Sequence, residues 1–397
     1  MSFNYDKCAV VAFRTLHYND YEYGNCINEC NCGFHWKLGE QLIREVSSYK
    51  YLGIELDRSL SFQEFKKRIK EKARKNVSRV WYMGMYDGCL SVKASINLYQ
   101  ALVRSVLEYG CEIWGDEVWE EGERVQREMG RRILRCNGKT TNEALLGELG
   151  WWTLRARRDF CKLKYWIKIL LMDENRLVRR IYKGSKHKYM SEGTNNWCKT
   201  VHSLAYKYNL LDLWTDEALV HQPQGNSRDK WTNLIYQKIH AIEQERWLRR
   251  MNKKSKLRTY QTFKSKLELE PYLLSDTQKT ARYLLTRIRT GTNKLRIETG
   301  RWKRPQEALE ERVCRVCMSG AVEDEKHFIL DCNAYTNLRN EMLDRIRSKT
   351  HNRYNLHLEG VDRRWRILMN PKDKKAEINE ALKEYLKTAW KKRTLLL

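Results

Sequence analysis

The sequence predicts a mainly α, multidomain chain that opens with a small α+β piece and carries a small metal-binding module near its C-terminal end. Three observations lead there. Apolar residues recur at helical spacing almost continuously from Ser61 onward. Before that point stand two short β-rich runs. Finally, the stretch VCRVCMSGAVEDEKHFILDC, Val313 to Cys332, gathers three cysteines and a histidine. A chain of 397 residues is long enough for two or three hydrophobic cores.

In chain order, CAVVAF (Cys8 to Phe13) and YKYLGIEL (Tyr49 to Leu56) read as strands, with Gly53 marking a bulge or a close approach. Between them Cys26, Cys30, Cys32 and His35 lie close together, but C-x3-C-x-C-x2-H crowds the ligands, so free thiols are expected in preference to a second metal site. A basic amphipathic helix follows Ser61, with Phe62, Phe65, Ile69, Ala73 and Val77 inward. Another is expected over Ser91 to Tyr109, with Ser91 as N-cap and Gly110 as the stop. Further helices are expected at about Glu120 to Arg135, Glu143 to Leu149 (opened by Thr141-Asn142, closed by Gly150), and Leu154 to Tyr182. Polar, breaker-rich GSKHKYMSEGTNN (Gly184 to Asn196) and HQPQGNS (His221 to Ser227) read as linkers. Helices resume at Lys230 to Met251, Arg258 to Leu269, Ala334 to Lys349 and Lys375 to Lys392.

The spacing C-x2-C-x9-H-x4-C places Cys314, Cys317, His327 and Cys332 as four ligands. Zinc takes four thiolate or imidazole donors tetrahedrally, and a Cys-x2-Cys turn supplies two sulfurs on one side of such an ion. A full protein ligand set leaves no open position, so a structural Zn2+ is expected. The acidic Glu323, Asp324 and Glu325 read as a polar loop leading into a small packed element at Phe328 to Leu330.

The formal net charge is +26, yet residues 1–60 carry 6 Lys/Arg against 8 Asp/Glu, so the remainder holds +28. Basic segments interleaved with tryptophan and tyrosine suit a polyanion, nucleic acid first. No secretory signal opens the sequence and no apolar run is long enough to cross a bilayer, so no membrane partner and a cytoplasmic or nuclear, non-secreted location are expected. Twelve cysteines then imply free thiols and metal ligands. Gly138-Lys139-Thr140 ends like a phosphate-binding loop, but Ile133 occupies the place of its first glycine.

Several blocks resemble one family in the same order. NYDKCAVVAF (Asn4 to Phe13) is similar to the strand after the catalytic loop of a reverse transcriptase palm, with Cys8 where Ser or Thr is usual. YKYLGIELD (Tyr49 to Asp57) resembles the hairpin leading into the thumb, where such enzymes hold the primer end. That likeness makes Tyr51, Leu52 and Gly53 primer-grip-like. LYQALVRSVLEYGCEIW (Leu98 to Trp114) resembles the thumb helix, with Ser105 replacing the usual proline. LLTRIRTGTNKLRIETGRWKR (Leu284 to Arg304) and the Cys/His stretch resemble the arginine-rich lead-in and CCHC zinc knuckle of non-LTR (LINE-type) retrotransposon polyproteins.

The resemblance implies palm-end strands over 1–60, a basic helical thumb over 61–190, a helical connector over 191–300, a knuckle over 301–340 and a basic tail over 341–397. It also implies a C-terminal portion without its active site. The family's Asp-Asp turn has no counterpart, since the sequence contains no Asp-Asp pair. Any Mg2+ would come with a catalytic palm supplied upstream, and the chain alone is expected to be inactive as an RNA-directed DNA polymerase. Expected partners are RNA, an RNA–DNA or DNA duplex, and the upstream portion. Lys66, Lys67, Arg68, Lys70, Arg155, Arg157, Arg158, Arg287, Arg289, Lys294, Arg296 and Arg301 would neutralise phosphates, and Trp302 would stack on bases. Two other readings are an active polymerase completed by another chain and a non-catalytic scaffold stapled by zinc.

Overall fold

The computed structural model describes residues 8–13, 36–222, 227–275, 278–371 and 373–397. The Cys26, Cys30, Cys32 and His35 cluster, Asn4 to Lys7 and most of the 221–227 linker lie outside them.

The chain is mainly helical behind two small hairpins. Strands β1 (Trp36–Leu38) and β2 (Gln41–Ile43) pair antiparallel, as do β3 (Ser48–Tyr51) and β4 (Ile54–Asp57). The second hairpin replaces the single strand expected at Tyr49 to Leu56 and stands where the family resemblance implies a hairpin, Tyr49 to Asp57. Tyr51 pairs with Ile54, so Leu52 and Gly53 form a two-residue turn with φ of 45° and 85°. Such turns twist with the strands and need positive φ, which explains the glycine. It is a turn residue and not a bulge, and it is also closely approached: a Cβ there would sit 3.4 Å from the Tyr109 ring. Cys8 to Phe13 contributes only an isolated parallel bridge, Val10 to Glu45.

Asp57 joins the sheet to the first helix. Its carboxylate accepts from the Ser59, Ser61 and Phe62 amides at 2.9, 3.1 and 3.2 Å. Helix α1 (Gln63–Val80) then buries Phe65, Ile69, Ala73 and Val77, as its spacing predicts. Helix α2 (Val92–Leu98) is capped by Ser91, whose side chain accepts from the Ala94 amide, and continues through a π-helical stretch to Leu107. Next come α3 (Glu120–Leu134) and α4 (Asn142–Leu149), the latter capped by Thr141 and ended by Gly150 at φ 63°. A Cβ on Gly150 would meet the Leu269 amide at 2.4 Å, so this stop also lets a distant strand of chain pass.

The expected long helix Leu154 to Tyr182 is two helices, α5 (Leu154–Leu170) and α6 (Leu177–Glu192). Asp173 breaks it by accepting from the Asn175 amide at 2.9 Å, a local bond that competes with the helical ladder. Most of the expected linker at 184–196 lies inside α6, which ends at Gly193. Burial of Tyr182 holds this helix despite its polar composition. Helices α7 (Trp197–Lys207) and α8 (Ser227–Asn252) follow. No continuous helix spans Arg258 to Leu269. One 3-10 turn, Tyr260–Thr262, stands there; its backbone bonds end with the Lys264 amide on the Tyr260 carbonyl at 3.0 Å, and Lys264 Nζ then bonds the Glu268 carbonyl at 2.8 Å. Then come α9 (Lys279–Arg289), α10 (Thr336–Lys349), α11 (Val361–Met369) and α12 (Lys375–Leu396).

The buried apolar residues form one continuous cluster, including Trp151 and Trp152. Arg289 crosses it. Its guanidinium meets Glu148 at 2.9 Å and Glu270 at 2.8 Å, and also bonds the Met369 carbonyl. Burial opposes the guanidinium's charge, but Glu148 and Glu270 outweigh it and hold Arg289 protonated. Among the described residues no helix is long and apolar enough to cross a membrane.

Candidate metal centre

Arg312, Val313 and Cys314 pair with Ala321 to Glu323. The Cys314 amide donates to the Ala321 carbonyl at 2.8 Å and the Glu323 amide to the Arg312 carbonyl at 2.9 Å. The connecting turn places Met318 at φ 54° and Gly320 at φ 76°, folding Cys317 back toward Cys314. Asp324 Oδ1 accepts from the His327 amide at 2.8 Å and so starts the single helical turn His327–Asp331. Cys332 follows directly, its carbonyl held by Arg339 at 3.1 Å.

These elements bring Cys314, Cys317, His327 and Cys332 together, their ligand atoms all within 4.8 Å of one another. Cys317 Sγ lies 3.4 Å from His327 Nε2 and 3.1 Å from Ser319 Oγ. Sulfurs about 2.3 Å from a tetrahedral ion stand about 3.8 Å apart, so the group is the right size for one ion. The crowded donors shift one another. A hydrogen bond from Cys332 lowers Cys314 to about 3, while Cys332 is pushed up by the same contact and by burial. His327 rises to about 9, chiefly through Cys314. A divalent ion takes thiolates and a neutral imidazole, so its binding here would displace the protons that Cys332 and His327 otherwise keep.

The turn is packed from behind. Phe328 is fully buried, and its ring contacts those of Tyr335 and Trp390 at centroid separations of 5.2 and 5.7 Å. Its carbonyl accepts from Tyr385 Oη at 2.7 Å. The acidic triplet is not a solvated loop. Glu323 and Glu325 are buried, with Glu323 on Arg393 at 2.7 Å and Glu325 on Arg258 at 2.9 Å. Burial raises Glu325, and Arg258 opposes the rise.

The residues expected to meet phosphates divide. Arg158 and Arg289 are almost wholly buried: Arg158 bonds the Glu117 carbonyl at 3.2 Å, and Arg289 fills the network above. Lys66 pairs with Glu117 at 2.7 Å and Arg296 with Glu307 at 2.7 Å, both buried. Arg155 and Arg157 are half-buried on Asp159 and Glu108. These side chains pack the protein in this conformation. Lys67, Arg287 and Lys294 are exposed, and Lys70 and Arg301 are half-exposed. Trp302 stands 37% exposed, with Lys139 Nζ 3.9 Å from its ring centroid. The hairpin tip projects Tyr51 and Leu52 into solvent while Tyr109 Oη holds the Leu52 carbonyl at 2.6 Å and Arg68 the Gly53 carbonyl at 2.8 Å. Lys139 carried no recognisable signal except its position in a loop that fails as a phosphate-binding motif.

Comparison with known proteins gives relatives of one kind. Over 135 residues, 34% of this chain, it is 27% identical to the RNA-directed DNA polymerase from mobile element jockey of Drosophila melanogaster. It is 26% identical over 115 residues, 28% of the chain, to the probable RNA-directed DNA polymerase from transposon X-element of the same species. The jockey polymerase of Drosophila funebris matches at 23% over 164 residues, 41% of the chain. The match spans 13%, 13% and 15% of these relatives' own lengths. No family model and no solved structure matches. Over part of its length, the chain is a distant homologue of non-LTR retrotransposon RNA-directed DNA polymerases.

Proposed function

We propose that the chain is a nucleic-acid-binding, C-terminal-type portion of a non-LTR reverse transcriptase, gripping RNA or an RNA–DNA duplex without catalysing synthesis itself. The observation that carries this reading is the solvent side of α1. Lys67, Lys72, Arg74, Lys75 and Arg79 stand exposed along it and Lys70 half-exposed, and the line ends at exposed Tyr82 and Tyr86. Cations repeating on one rigid helix suit a phosphate backbone, and neighbouring aromatics suit bases. The homology to RNA-directed DNA polymerases supports the same partner class. In this reading residues 61–190 act as a thumb and the Tyr51-Leu52-Gly53 turn as a primer-grip-like tip, while 191–300 connect to the knuckle and tail.

Zinc is the metal we assign to Cys314, Cys317, His327 and Cys332, in a structural role. Three thiolates and one imidazole form a closed, soft donor set, which favours zinc over magnesium or calcium. The ion would pin the turn that sets Phe328 into the core. Mg2+ belongs with a catalytic palm, for which the chain has no Asp-Asp pair.

A filter-binding titration of the purified chain against RNA and an RNA–DNA duplex over rising salt tests the first claim. Affinity should fall by about 0.9 log unit per log unit of salt for each duplex phosphate contacted. A flat dependence overturns it. Primer extension with Mg2+ should yield no product.

A further inference from the structure

Away from the Cys/His centre, cations from three separated stretches converge on one spot. Lys139 is exposed on the loop after α3, its amide donating to Asn137 Oδ1 at 3.0 Å. Lys256 comes from the short turn after α8, and its Nζ donates to the Lys139 carbonyl at 2.8 Å. Arg301 and Trp302 come from the turn following α9, and Lys139 Nζ lies over the Trp302 ring. A close approach builds the cluster: Gly291 at φ 62° leaves room for the Lys256 carbonyl, which a Cβ would meet at 2.9 Å. Glu298 lies beneath, buried, and already serves Arg258 at 3.2 Å as well as Arg301 at 3.7 Å. Burial lowers the affinity of Lys256 for its proton, and Arg301 and Lys139 lower it further against Glu298.

Like charges held this close raise the energy of the folded chain unless an anion joins them. Beside them Trp302 keeps 37% exposure, enough to leave part of its ring open to solvent. Cations flanking a half-open aromatic ring are the arrangement that takes a nucleotide, phosphate on the charge and base on the ring.

We propose that Lys139, Lys256, Arg301 and Trp302 form a binding site for single-stranded nucleic acid, the cations taking adjacent phosphates and Trp302 stacking on one unpaired base. The proposal rests on the nucleic-acid reading above and deepens it. A duplex keeps its bases paired and cannot offer one to the indole, so the site discriminates strandedness. An acidic peptide would satisfy the cations while making no use of the ring.

The test is fluorescence anisotropy of the full chain with labelled oligouridine or oligothymidine of about 12 nucleotides, against a duplex of equal length. Trp302→Ala should weaken single-strand binding by about 5-fold or more while leaving duplex binding within about 2-fold, and Trp302→Phe should restore most of the loss. Lys139→Gln with Arg301→Gln should reduce the single-strand salt slope by about 1.4. Unchanged zinc content and melting temperature show that the variants are folded. Tight binding of either RNA or DNA single strands supports the site. Wild-type single-strand affinity in Trp302→Ala overturns it while leaving the α1 reading intact, as does equal loss of duplex and single-strand binding. Polyglutamate displacing the oligonucleotide from wild type and Trp302→Ala alike identifies a peptide site and overturns the proposal. A wild-type chain that binds no nucleic acid sinks both readings.

Discussion

Two basic stretches of this chain look alike as text and part company in space. On α1, Lys67, Lys72, Arg74, Lys75 and Arg79 face water. In the stretch from α9 to Trp302, Arg289 and Arg296 turn inward onto Glu148, Glu270 and Glu307, while Lys279, Arg287, Lys294, Arg301 and Trp302 remain reachable to differing degrees. A guanidinium is buried only where carboxylates and carbonyls meet it, and for Arg289 these include Glu148 and the Met369 carbonyl, both far away in sequence. Basic charge therefore has two uses in one molecule: on α1 it stays available to a polyanion, and at Arg289 it fastens the core.

The sharpest way to break that contrast is at the core. Arg289→Ala leaves Glu148 and Glu270 buried without their cation, and unfolding by urea should show a loss of about 3–5 kcal/mol. A loss within about 0.5 kcal/mol, the level of a surface substitution, would erase the distinction. Next in size is the Cys/His centre. Cys317→Ser should abolish stoichiometric zinc by metal analysis and deprotect amides over 313–335 in hydrogen exchange, with α1 unaffected. Retained zinc would remove the metal assignment.

Smaller effects sharpen the exposed side. Lys70→Gln with Lys75→Gln should leave the melting temperature nearly unchanged yet lower the duplex salt slope by about 1.8. The smallest effect concerns the sheet-to-helix junction. Burial pushes the Asp57 carboxyl up, but hydrogen bonds from Ser59 and Ser61 prevail and lower it to about 2. With the folded value below the ordinary 3.8, its contribution is fully present above about pH 4 and is lost as pH falls toward 2. Asp57→Asn should flatten that part of the stability profile and cost about 0.5–2 kcal/mol at neutral pH.

Local chemistry made much of the structure legible in advance. Ser91 and Thr141 announced their helices because a hydroxyl cap acts within three residues, whereas Gly53 was read as a bulge or close approach and only the family resemblance pointed to a hairpin there. The four Cys/His donors lie within nineteen residues, so their meeting needed only short loops. What stayed hidden depended on distant partners. Glu323 and Glu325 look solvated until Arg393 and Arg258 arrive from remote positions. The region 184–192 is helical because its neighbours bury Tyr182, and Arg258 to Leu269 forms one 3-10 turn where the apolar spacing suggested a full helix. The homology to jockey and X-element polymerases accords with the resemblance read from the motifs.

The most direct measurement is the slope of log affinity against log salt for an RNA–DNA duplex, taken on the wild-type chain and on one with Lys67, Lys70, Arg74 and Lys75 all changed to Gln. The wild-type slope should be steep and should drop by about 3.6 in the variant at unchanged zinc content. Equal slopes in the two proteins would contradict phosphate binding by α1.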